Sequence, residues 1–211
     1  ENGMTENGMT KSEMGPEEET MEARDQARTA GESEPRDDAV GKARDAALHL
    51  LSFRARSVAE MERRLRKKDF EDSVVSQVVA WLLDLGYLDD REFARQFLDE
   101  RLRRRPRGPF ALVQELRKRG VDRHVAEEVL DALMKERDID EGDLARDTAR
   151  RWLSRQSRRV TRLLGQAATG DDCQESMKAK RRLYAHLERK GFSRGVIPGS
   201  VDAVLREIEE P

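Results

Sequence analysis

The sequence predicts an all-α fold, a tandem array of three three-helix units forming a curved elongated molecule, preceded by a disordered acidic N-terminal tail. The segment "LRKKDFEDSVVSQVV" at residues 65–79 returns nearly unchanged as "LRKRGVDRHVAEEVL" at residues 116–130, and recurrence at such a period is typical of stacked helical repeats. Apolar residues recur at spacings of three and four, and the polar/apolar alternation of strands is missing. Stacked units expose one long side, which favours an elongated target.

Residues 1–42 are predicted to form the disordered acidic tail. Residues 1–41 contain four basic and twelve acidic side chains, a net charge of −8; because the whole chain carries −2, the remainder carries +6. The stretch lacks apolar periodicity and cannot bury enough surface to offset the entropy lost on ordering. Two interpretations stay open: the tail mimics a nucleic acid and competes for the basic body, or it is a solubilising extension.

The first unit is predicted over residues 43–88. Its middle helix starts in "SVAE", where Ser57 caps the first turn and Glu60, three residues later, completes a capping box. Asp69 takes the position past the end of this helix, where a left-handed conformation is common and Asp is tolerated. The third helix of the unit carries the apolar residues Val74, Val75, Val78, Trp81, Leu82 and Leu85.

The second unit is predicted over residues 89–138. Its first helix runs from about Asp90 to Arg105, and the prolines of "PRGP" break it. Pro109 suits the first turn of the middle helix, and Gly120 suits the left-handed position past its end. The last apolar stripe of the unit comprises Val125, Val129, Leu130 and Leu133.

The third unit, predicted over residues 139–211, is a weaker copy. "LERKGFSRGV" places Gly191 where the second unit has Gly120. The segment around residues 158–178 is longer than its counterparts and contains Gly-Asp-Asp, so an inserted loop is expected there. "IPGS" puts Pro and Gly near the start of the last helix, which predicts a late or distorted start.

Composition predicts a soluble, cytoplasmic protein without a membrane partner, and we expect a monomer. Charged residues make up 40% of the chain, no apolar run is long enough to cross a bilayer, and the chain as given shows no secretory signal. The single cysteine, Cys173, cannot form an internal disulfide, which agrees with a reducing compartment.

Catalytic and metal-binding motifs are missing from the sequence. The candidate residues are scattered without the spacing of His-Glu-x-x-His, paired cysteines or a nucleophile elbow; they are His49, His124, His186 and Cys173. No glycine-rich phosphate loop is present either. The prediction is therefore a protein that is not an enzyme and that holds no cofactor and no metal.

Basic charge is concentrated at three places, which supply the candidate partner-binding or DNA-binding residues. They are Arg101, Arg103, Arg104, Arg105 and Arg107 in "RLRRRPR", with Lys67, Lys68, Arg117, Lys118 and Arg119 at two helix ends. Basic residues at helix C-termini also interact favourably with the helix dipole, by about 0.3–1 kcal/mol each, so a structural role is equally open for the helix-end residues. Five neighbouring guanidinium groups repel each other, and a phosphate backbone or an acidic protein groove relieves this repulsion.

A solvent-facing arginine run would affect binding rather than folding. Its replacement by serine should therefore leave the stability nearly unchanged. Aromatic residues are not interleaved with the run, which favours contact with the nucleic-acid backbone over base stacking. Trp81, Phe93, Phe97 and Trp152 lie on apolar stripes and are expected in the core, and Tyr87 is expected to pack between units.

Three blocks of the sequence resemble the RecX family, the bacterial regulators of the RecA recombinase. The blocks are "RSVAEMERRLRKKDF", "VVAWLLDLGYLDDREFARQFLDERL" and "RGPFALVQELRKRGV", and the likeness covers residues 46–133. The resemblance implies three tandem three-helix units, no catalytic activity, and binding along a RecA–single-stranded DNA filament. It further implies inhibition of recombinase activity and ATP turnover, in DNA repair, recombination and the SOS response. Asp69 departs from the family pattern, which usually has Gly there.

The alternative is a stand-alone DNA-binding regulator that uses one unit like a helix-turn-helix. A major-groove reader presents Arg, Asn, Gln or Ser from its recognition helix. The last helix of the second unit instead presents Glu127, Glu128 and Asp131, which repel phosphates. Direct base reading is therefore the less favoured interpretation.

Overall fold

The computed structural model describes the backbone of residues 18–104, 107–164 and 171–209, and the side chains of residues 36–104, 107–164 and 173–208. Over these residues the protein contains α-helices and no strand. The all-α fold class is confirmed. The helices are α1 (Glu18–Phe53), α2 (Val58–Arg66), α3 (Asp72–Asp84), α4 (Asp90–Arg104), α5 (Pro109–Lys118), α6 (Arg123–Glu136), α7 (Glu141–Leu153), α8 (Arg158–Leu164), α9 (Asp171–Arg189) and α10 (Ile197–Glu209).

Three hydrophobic clusters follow each other along the chain. The first is formed by α1, α2 and α3, the second by α4, α5 and α6, and the third mainly by α7, α9 and α10. Fully buried leucines lie in each cluster: Leu65 and Leu82, then Leu98, Leu112, Leu116 and Leu130, then Leu183 and Leu187. The arrangement follows the repeated helical pattern of the sequence, and the predicted unit boundaries themselves stay a prediction.

Helix α1 extends further towards the N-terminus than the apolar periodicity indicates. The structure begins it at Glu18, and Val40, only 6% exposed, packs in the first cluster beside Ala43 and Ala47. The first cluster therefore starts inside the stretch assigned to the acidic tail. Residues 1–17 of that tail lie outside the described residues.

The Ser57 cap and the Pro109 helix start are present, whereas the Glu60 side chain pairs with Arg54 and Arg119 in place of completing the capping box. The Ser57 hydroxyl accepts a hydrogen bond from the Glu60 backbone N–H at 3.1 Å, and Pro109 stands in the first turn of α5. Asp69, Gly120 and Gly191 all have positive φ, at 64°, 90° and 85°. The turn residues of the repeat are therefore explained by a left-handed position past each middle helix.

The described residues of the segment around residues 158–178 are helical, but residues 165–170 lie outside the described residues, and the inserted loop stays a prediction. Helix α8 occupies Arg158–Leu164, and α9 begins at Asp171. Val160 and Leu164 pack against the third cluster, and burial of these apolar residues stabilises a helix that turn residues alone do not predict. Helix α10 begins at Ile197 with Pro198 in its first turn, a position that Pro tolerates.

The three middle helices meet end to end at two joints, which we define by their glycines. At the first joint, Gly120 after α5 lies against Ala59 in α2, and a Cβ added to Gly120 would stand 2.2 Å from the Ala59 Cβ. At the second joint, Gly191 after α9 lies against Ala111 in α5, with a corresponding distance of 2.4 Å. Only glycine allows such close approach while adopting a positive φ.

Each joint is closed by a hydrogen bond to the carbonyl before its glycine. The Ser57 hydroxyl donates to the Arg119 carbonyl, and the Gly108 N–H donates to the Lys190 carbonyl at 2.9 Å. The C-terminus of one helix thus faces the N-terminus of another, an arrangement that the helix dipoles favour. Asp69, at the equivalent position past α2, is exposed and shares only the positive φ with the two glycines, a conformation that Asp tolerates.

The aromatic residues expected in the core are buried or half-buried, but Tyr87 is not packed between units. Phe93 is 7% exposed, whereas Tyr87 is 57% exposed. The chain turns at Gly86, and the next residue but one, Leu88, enters the first cluster with 2% exposure. Burial of Leu88 leaves the preceding side chain facing solvent.

Candidate anion-binding cleft between the second and third units

The five-arginine run does not form one surface, because its members face different neighbours. Arg101 lies on one cleft, Arg104 and Arg107 lie on another, and Arg103 pairs with Asp99 on its own helix. Arg105 lies outside the described residues. The fold therefore divides a sequence cluster that looked uniform.

The first cleft lies beside the first joint and is lined by Arg54, Ala55, Phe93, Gln96, Phe97, Glu100, Arg101 and Arg119. The guanidinium groups of Arg101 and Arg119 lie 4.9 and 4.8 Å from the centre of the Phe97 ring, within cation–π range. Arg101 also forms an ion pair with Glu115 at 3.0 Å. The cations of this cleft therefore have partners within the protein.

Glu60 strengthens this internal pairing. It forms ion pairs with Arg54 at 2.8 Å and with Arg119 at 3.0 Å across the first joint. Burial by itself raises the pKa of Glu60, but the hydrogen bonds and charges of Arg54 and Arg119 outweigh burial and lower that pKa. Arg119, a predicted site residue, thus has a structural role at the joint.

Glu115 changes the interpretation of the arginine run. Its side chain is 19% exposed and pairs with both Arg101, at 3.0 Å, and Arg107, at 2.5 Å. Removing both arginines would leave a poorly solvated carboxylate without a partner, which costs free energy. For these two positions we therefore expect serine replacement to lower the stability, in contrast to the expectation for a solvent-facing run.

The predicted residues at the helix ends lie apart from both clefts, with the exception of Arg119. Lys67, Lys68, Arg117 and Lys118 are all exposed, at the C-termini of α2 and α5. The structure does not bring them together with the arginine run in either cleft. Their contribution to binding stays a prediction.

The second cleft lies beside the second joint and has a volume of about 430 Å³. It is lined by Arg104, Arg107, Thr148, Arg151, Trp152, Arg155, His186 and Lys190. Five of these eight side chains are Arg or Lys, and no carboxylate is among them. The walls come from the end of α4, the chain before α5, one face of α7 and the end of α9.

Three cations of the second cleft are open to a ligand. Arg104 pairs with Glu100 at 3.1 Å, and Arg107 pairs with Glu115. Neither of these glutamates lines the second cleft. For Arg151, Arg155 and Lys190, the described part of the chain supplies no ion-pair partner. Unpaired cations in a concave site attract anions, and a carboxylate or phosphate oxygen can satisfy their donors.

His186 belongs to the same electrostatic site. Burial lowers its pKa, and the positive charges of Lys190, Arg189 and Arg155 lower that pKa further. The imidazole ring lies 6.3 Å from the Trp152 ring, centre to centre, at a tilt of 43°. A neutral imidazole beside an indole gives the cleft one aromatic wall among its cations.

Comparison with known proteins identifies the family. The profile of the first three-helix domain of RecX matches residues 43–82, and that of the second three-helix domain matches residues 89–130. The chain is 34% identical over 161 residues to regulatory protein RecX of Mycobacterium sp. (strain KMS), which covers 76% of this chain and 79% of that relative. The chain belongs to the RecX family. It is also 32% identical over 173 residues to regulatory protein RecX of Bacillus subtilis (strain 168), across 82% of this chain and 59% of that longer relative.

Solved structures of RecX proteins share the fold. RecX from Lactobacillus salivarius superposes with a TM-score of 0.61 at 23% identity, over 80% of this chain and 97% of that one. Another regulatory protein RecX superposes with a TM-score of 0.64 at 20% identity, over 79% and 74% of the two chains. At this level of identity the likeness supports the architecture of the RecX fold alone.

Sequence reasoning missed the residues that α7 and α9 contribute to the second cleft of this RecX family member. Thr148, Arg151 and Trp152 follow the i, i+3, i+4 spacing of one face of α7, and Arg155 continues this spacing at i+7 in the turn after the helix, a signal that could have been read. The prediction treated Trp152 as a core residue, and it is half-buried against the third cluster. The tertiary fold then places this ring beside Arg104 and Arg107.

The helix-turn-helix alternative gains no support from the geometry. Arg91 pairs with Glu128 through both guanidinium nitrogens, at 3.0 and 2.6 Å, and the hydrogen bond with Arg91 holds the pKa of Glu128 below its usual range. Arg123 pairs with Glu127 at 2.7 Å. Helix α6 therefore presents acidic side chains whose nearby cations are already paired.

Metal-binding clusters and membrane-spanning helices are missing from the described residues. No group of three or more His, Cys, Asp or Glu side chains is placed to hold a metal ion in the part of the chain that the structure describes. Across the same residues, no helix combines the length and apolar character needed to span a membrane.

Proposed function

We propose that the protein is an inhibitory regulator that binds a filament of a RecA-type recombinase on single-stranded DNA and lowers its recombinase and ATPase activity. The second cleft is the observation that carries the proposal, because it gathers five Arg or Lys side chains without a carboxylate in its lining. A recombinase filament offers phosphates and acidic side chains, the two groups that such a cleft attracts. The proposed setting is DNA recombination, DNA repair and the SOS response in the cytoplasm.

The binding surface proposed here differs in part from the one that the sequence predicted. Arg104 and Arg107 keep their assignment, and Arg151, Arg155 and Lys190 join them. Arg101 and Arg119 are assigned to the first cleft and its joint, where they stabilise the array. The exposed Lys67, Lys68, Arg117 and Lys118 remain proposed outer contacts to the filament or to the DNA backbone, and the protein acts as a monomer.

A titration of the full chain into recombinase filaments on single-stranded DNA tests the proposal. ATP turnover and strand exchange should fall at less than one chain per filament subunit. The variant Arg151→Ser/Arg155→Ser should inhibit about tenfold less well, since each lost contact to a phosphate or carboxylate weakens binding by up to about 1 kcal/mol. Arg63→Ser/Arg64→Ser is the matched control, because it removes two exposed arginines of α2 that lie outside both clefts.

Different results of this titration would reject the proposed function and the proposed binding site. If the unaltered chain changes neither ATP turnover nor strand exchange, the proposed function is wrong. If the α7 variant and the α2 control inhibit equally well, the filament contact lies elsewhere on the molecule.

A further inference from the structure

The second cleft has a shape and size that a flat basic surface lacks. Its volume of about 430 Å³ falls in the range of small-molecule and cofactor sites, roughly 300–1,000 Å³. Its walls come from two units, and the joint between Gly108 and Gly191 holds them together. A concave cavity of this size can take one compact ligand as well as a short stretch of polymer.

The charges of the cleft fit a ligand that carries several negative charges close together. Arg151, Arg155 and Lys190 lack a carboxylate partner among the described residues, and Arg104 and Arg107 stand beside them. Arginine forks bind phosphate oxygens through two parallel hydrogen bonds, and lysine acts as a point charge. Phosphate groups are therefore the anions that this set of donors recognises best.

The indole ring of Trp152 gives the cleft an aromatic surface, which a site for phosphate alone does not need. The indole ring is half-buried, lines the cleft, and has no cation–π partner among the described residues, in contrast to Phe97 and Trp81. Its described ring neighbour is His186. Aromatic faces in basic grooves stack nucleobases, and the interaction tolerates any base.

We propose that the second cleft is a nucleotide site, in which Arg151, Arg155 and Lys190 hold phosphate groups and Trp152 stacks on the base. The inference rests on the proposed function in one respect, since the same cleft is the contact to the filament. Two sources supply this chemistry: a free nucleoside triphosphate and a nucleotide unit of single-stranded DNA. Occupation by a free nucleotide would compete with filament binding.

Tryptophan fluorescence provides a direct test, because the chain has two tryptophans. Trp81→Phe leaves Trp152 as the single tryptophan, which is excited at a wavelength where tyrosine does not absorb, and Trp81 lies in the first unit, away from the cleft. The full chain with this substitution is titrated with thymidine triphosphate, with oligo(dT) of about eight nucleotides, and with inorganic tripolyphosphate, in the absence of recombinase. Binding of either thymidine ligand should quench Trp152 and should be about fivefold or more tighter than binding of tripolyphosphate.

Two variants assign the two halves of the site. Arg151→Ser/Arg155→Ser should weaken thymidine triphosphate binding by about tenfold, whereas Arg63→Ser/Arg64→Ser should leave it unchanged. Trp152→Leu, followed by calorimetry, should lower the affinity for thymidine triphosphate to that for tripolyphosphate. A helical circular-dichroism spectrum like that of the unaltered chain shows that each variant is folded.

The relative affinities of the three ligands show which source of nucleotide occupies the cleft and whether the nucleotide assignment holds. Tighter binding of thymidine triphosphate identifies a free nucleotide, and tighter binding of oligo(dT) identifies a strand of DNA. Equal binding of tripolyphosphate and thymidine triphosphate, or an unchanged Trp152 signal, overturns the nucleotide assignment. Because no recombinase is present, a chain that inhibits filaments but binds no thymidine ligand rejects this inference and leaves the proposed function standing.

Discussion

The first and second clefts lie at matching positions beside the two joints, and they differ at a few pairs of residues. Counted from the first residues of α4 and α7, Phe97 corresponds to Thr148, Glu100 to Arg151 and Arg101 to Trp152. Counted back from Gly120 and Gly191, Glu115 corresponds to His186 and Arg119 to Lys190. The Arg101–Glu115 ion pair of the first cleft is thus replaced by the Trp152–His186 ring contact of the second.

These replacements change what each cleft can do. The two clefts have similar volumes, about 440 and 430 Å³. In the first cleft an aromatic ring lies against two cations, and carboxylates neutralise the surrounding cations. In the second, Thr148 takes the place of this ring, and Arg151 stands at the position of an acidic residue. A repeat can therefore use one place in its architecture for stability in one copy and for ligand binding in another.

The largest expected effect is a loss of stability when a glycine at a joint is replaced, compared with a glycine in an ordinary turn. Gly191→Ala should lower the free energy of unfolding by about 2–4 kcal/mol, because it combines a positive φ with a close approach to Ala111. Gly86→Ala is the matched control: its φ is also positive, at +70°, but nothing lies within 4 Å of the added Cβ. The control should lose only about 1–2 kcal/mol.

Urea unfolding followed by circular dichroism measures both variants, and Gly120→Ala at the first joint should behave like Gly191→Ala. Equal losses for Gly191→Ala and Gly86→Ala would mean that close approach at the joint contributes nothing to stability.

The next effect divides the arginine run into a structural and a solvent-facing pair. Arg101→Ser/Arg107→Ser removes both partners of the half-buried Glu115 and should cost about 1–3 kcal/mol of stability. Arg103→Ser/Arg104→Ser removes two well-exposed side chains and should change stability by less than about 0.5 kcal/mol each. Thermal melts of the two double variants provide the measurement, and identical melting temperatures would contradict the division.

A charge exchange should make the second cleft resemble the first. Arg151→Glu introduces the residue type found at the matching position, Glu100, and should weaken binding to single-stranded DNA at low salt by about tenfold. The salt dependence should flatten by roughly one unit of log–log slope, since a phosphate contact is lost. Arg63→Glu in α2 carries the same charge change outside both clefts and should have little effect; an equal loss in this control would point to net charge alone.

The smallest effect concerns pH and exists in the second cleft alone, because Glu115 replaces His186 in the first. Protonation of His186 adds a positive charge beside Lys190, Arg189, Arg155 and Trp152, so phosphate affinity should rise a few-fold as the pH falls towards the lowered pKa of this imidazole. His186→Gln should abolish this rise. Binding titrations of tripolyphosphate at several pH values check it, with a flat profile in the unaltered chain as the contrary result.

The same histidine contributes to stability with a definite sign. Its pKa is lowered in the folded protein, so below about pH 6.5 the unfolded chain binds more protons than the folded one. The contribution of His186 to the free energy of unfolding is therefore lost as the pH falls from about 6.5 through the lowered pKa. A bound phosphate should reduce this loss, because it favours the protonated imidazole.

The sequence by itself determined the all-α class and most local features of the fold. Periodic apolar residues marked the three core faces, Ser57 and Pro109 marked helix starts, and Asp69 and Gly120 marked left-handed ends, because each depends on a few neighbouring residues. Helix α8 and the packing of α1 from Val40 onwards were missed, because contacts with residues distant in sequence stabilise helices that local signals leave undecided.

Only the tertiary structure decided which charges are available to a ligand. The five-arginine run looked uniform along the chain, but Glu115 in α5 pairs with Arg101 and Arg107 from across a turn. No aromatic residue is interleaved with the run in the sequence, yet the second joint brings Trp152 beside it. Charge pairing and cavity lining depend on residues that are far apart in sequence. The distances between these residues are set by the packing of the units at the two joints, where Gly120 and Gly191 allow close approach.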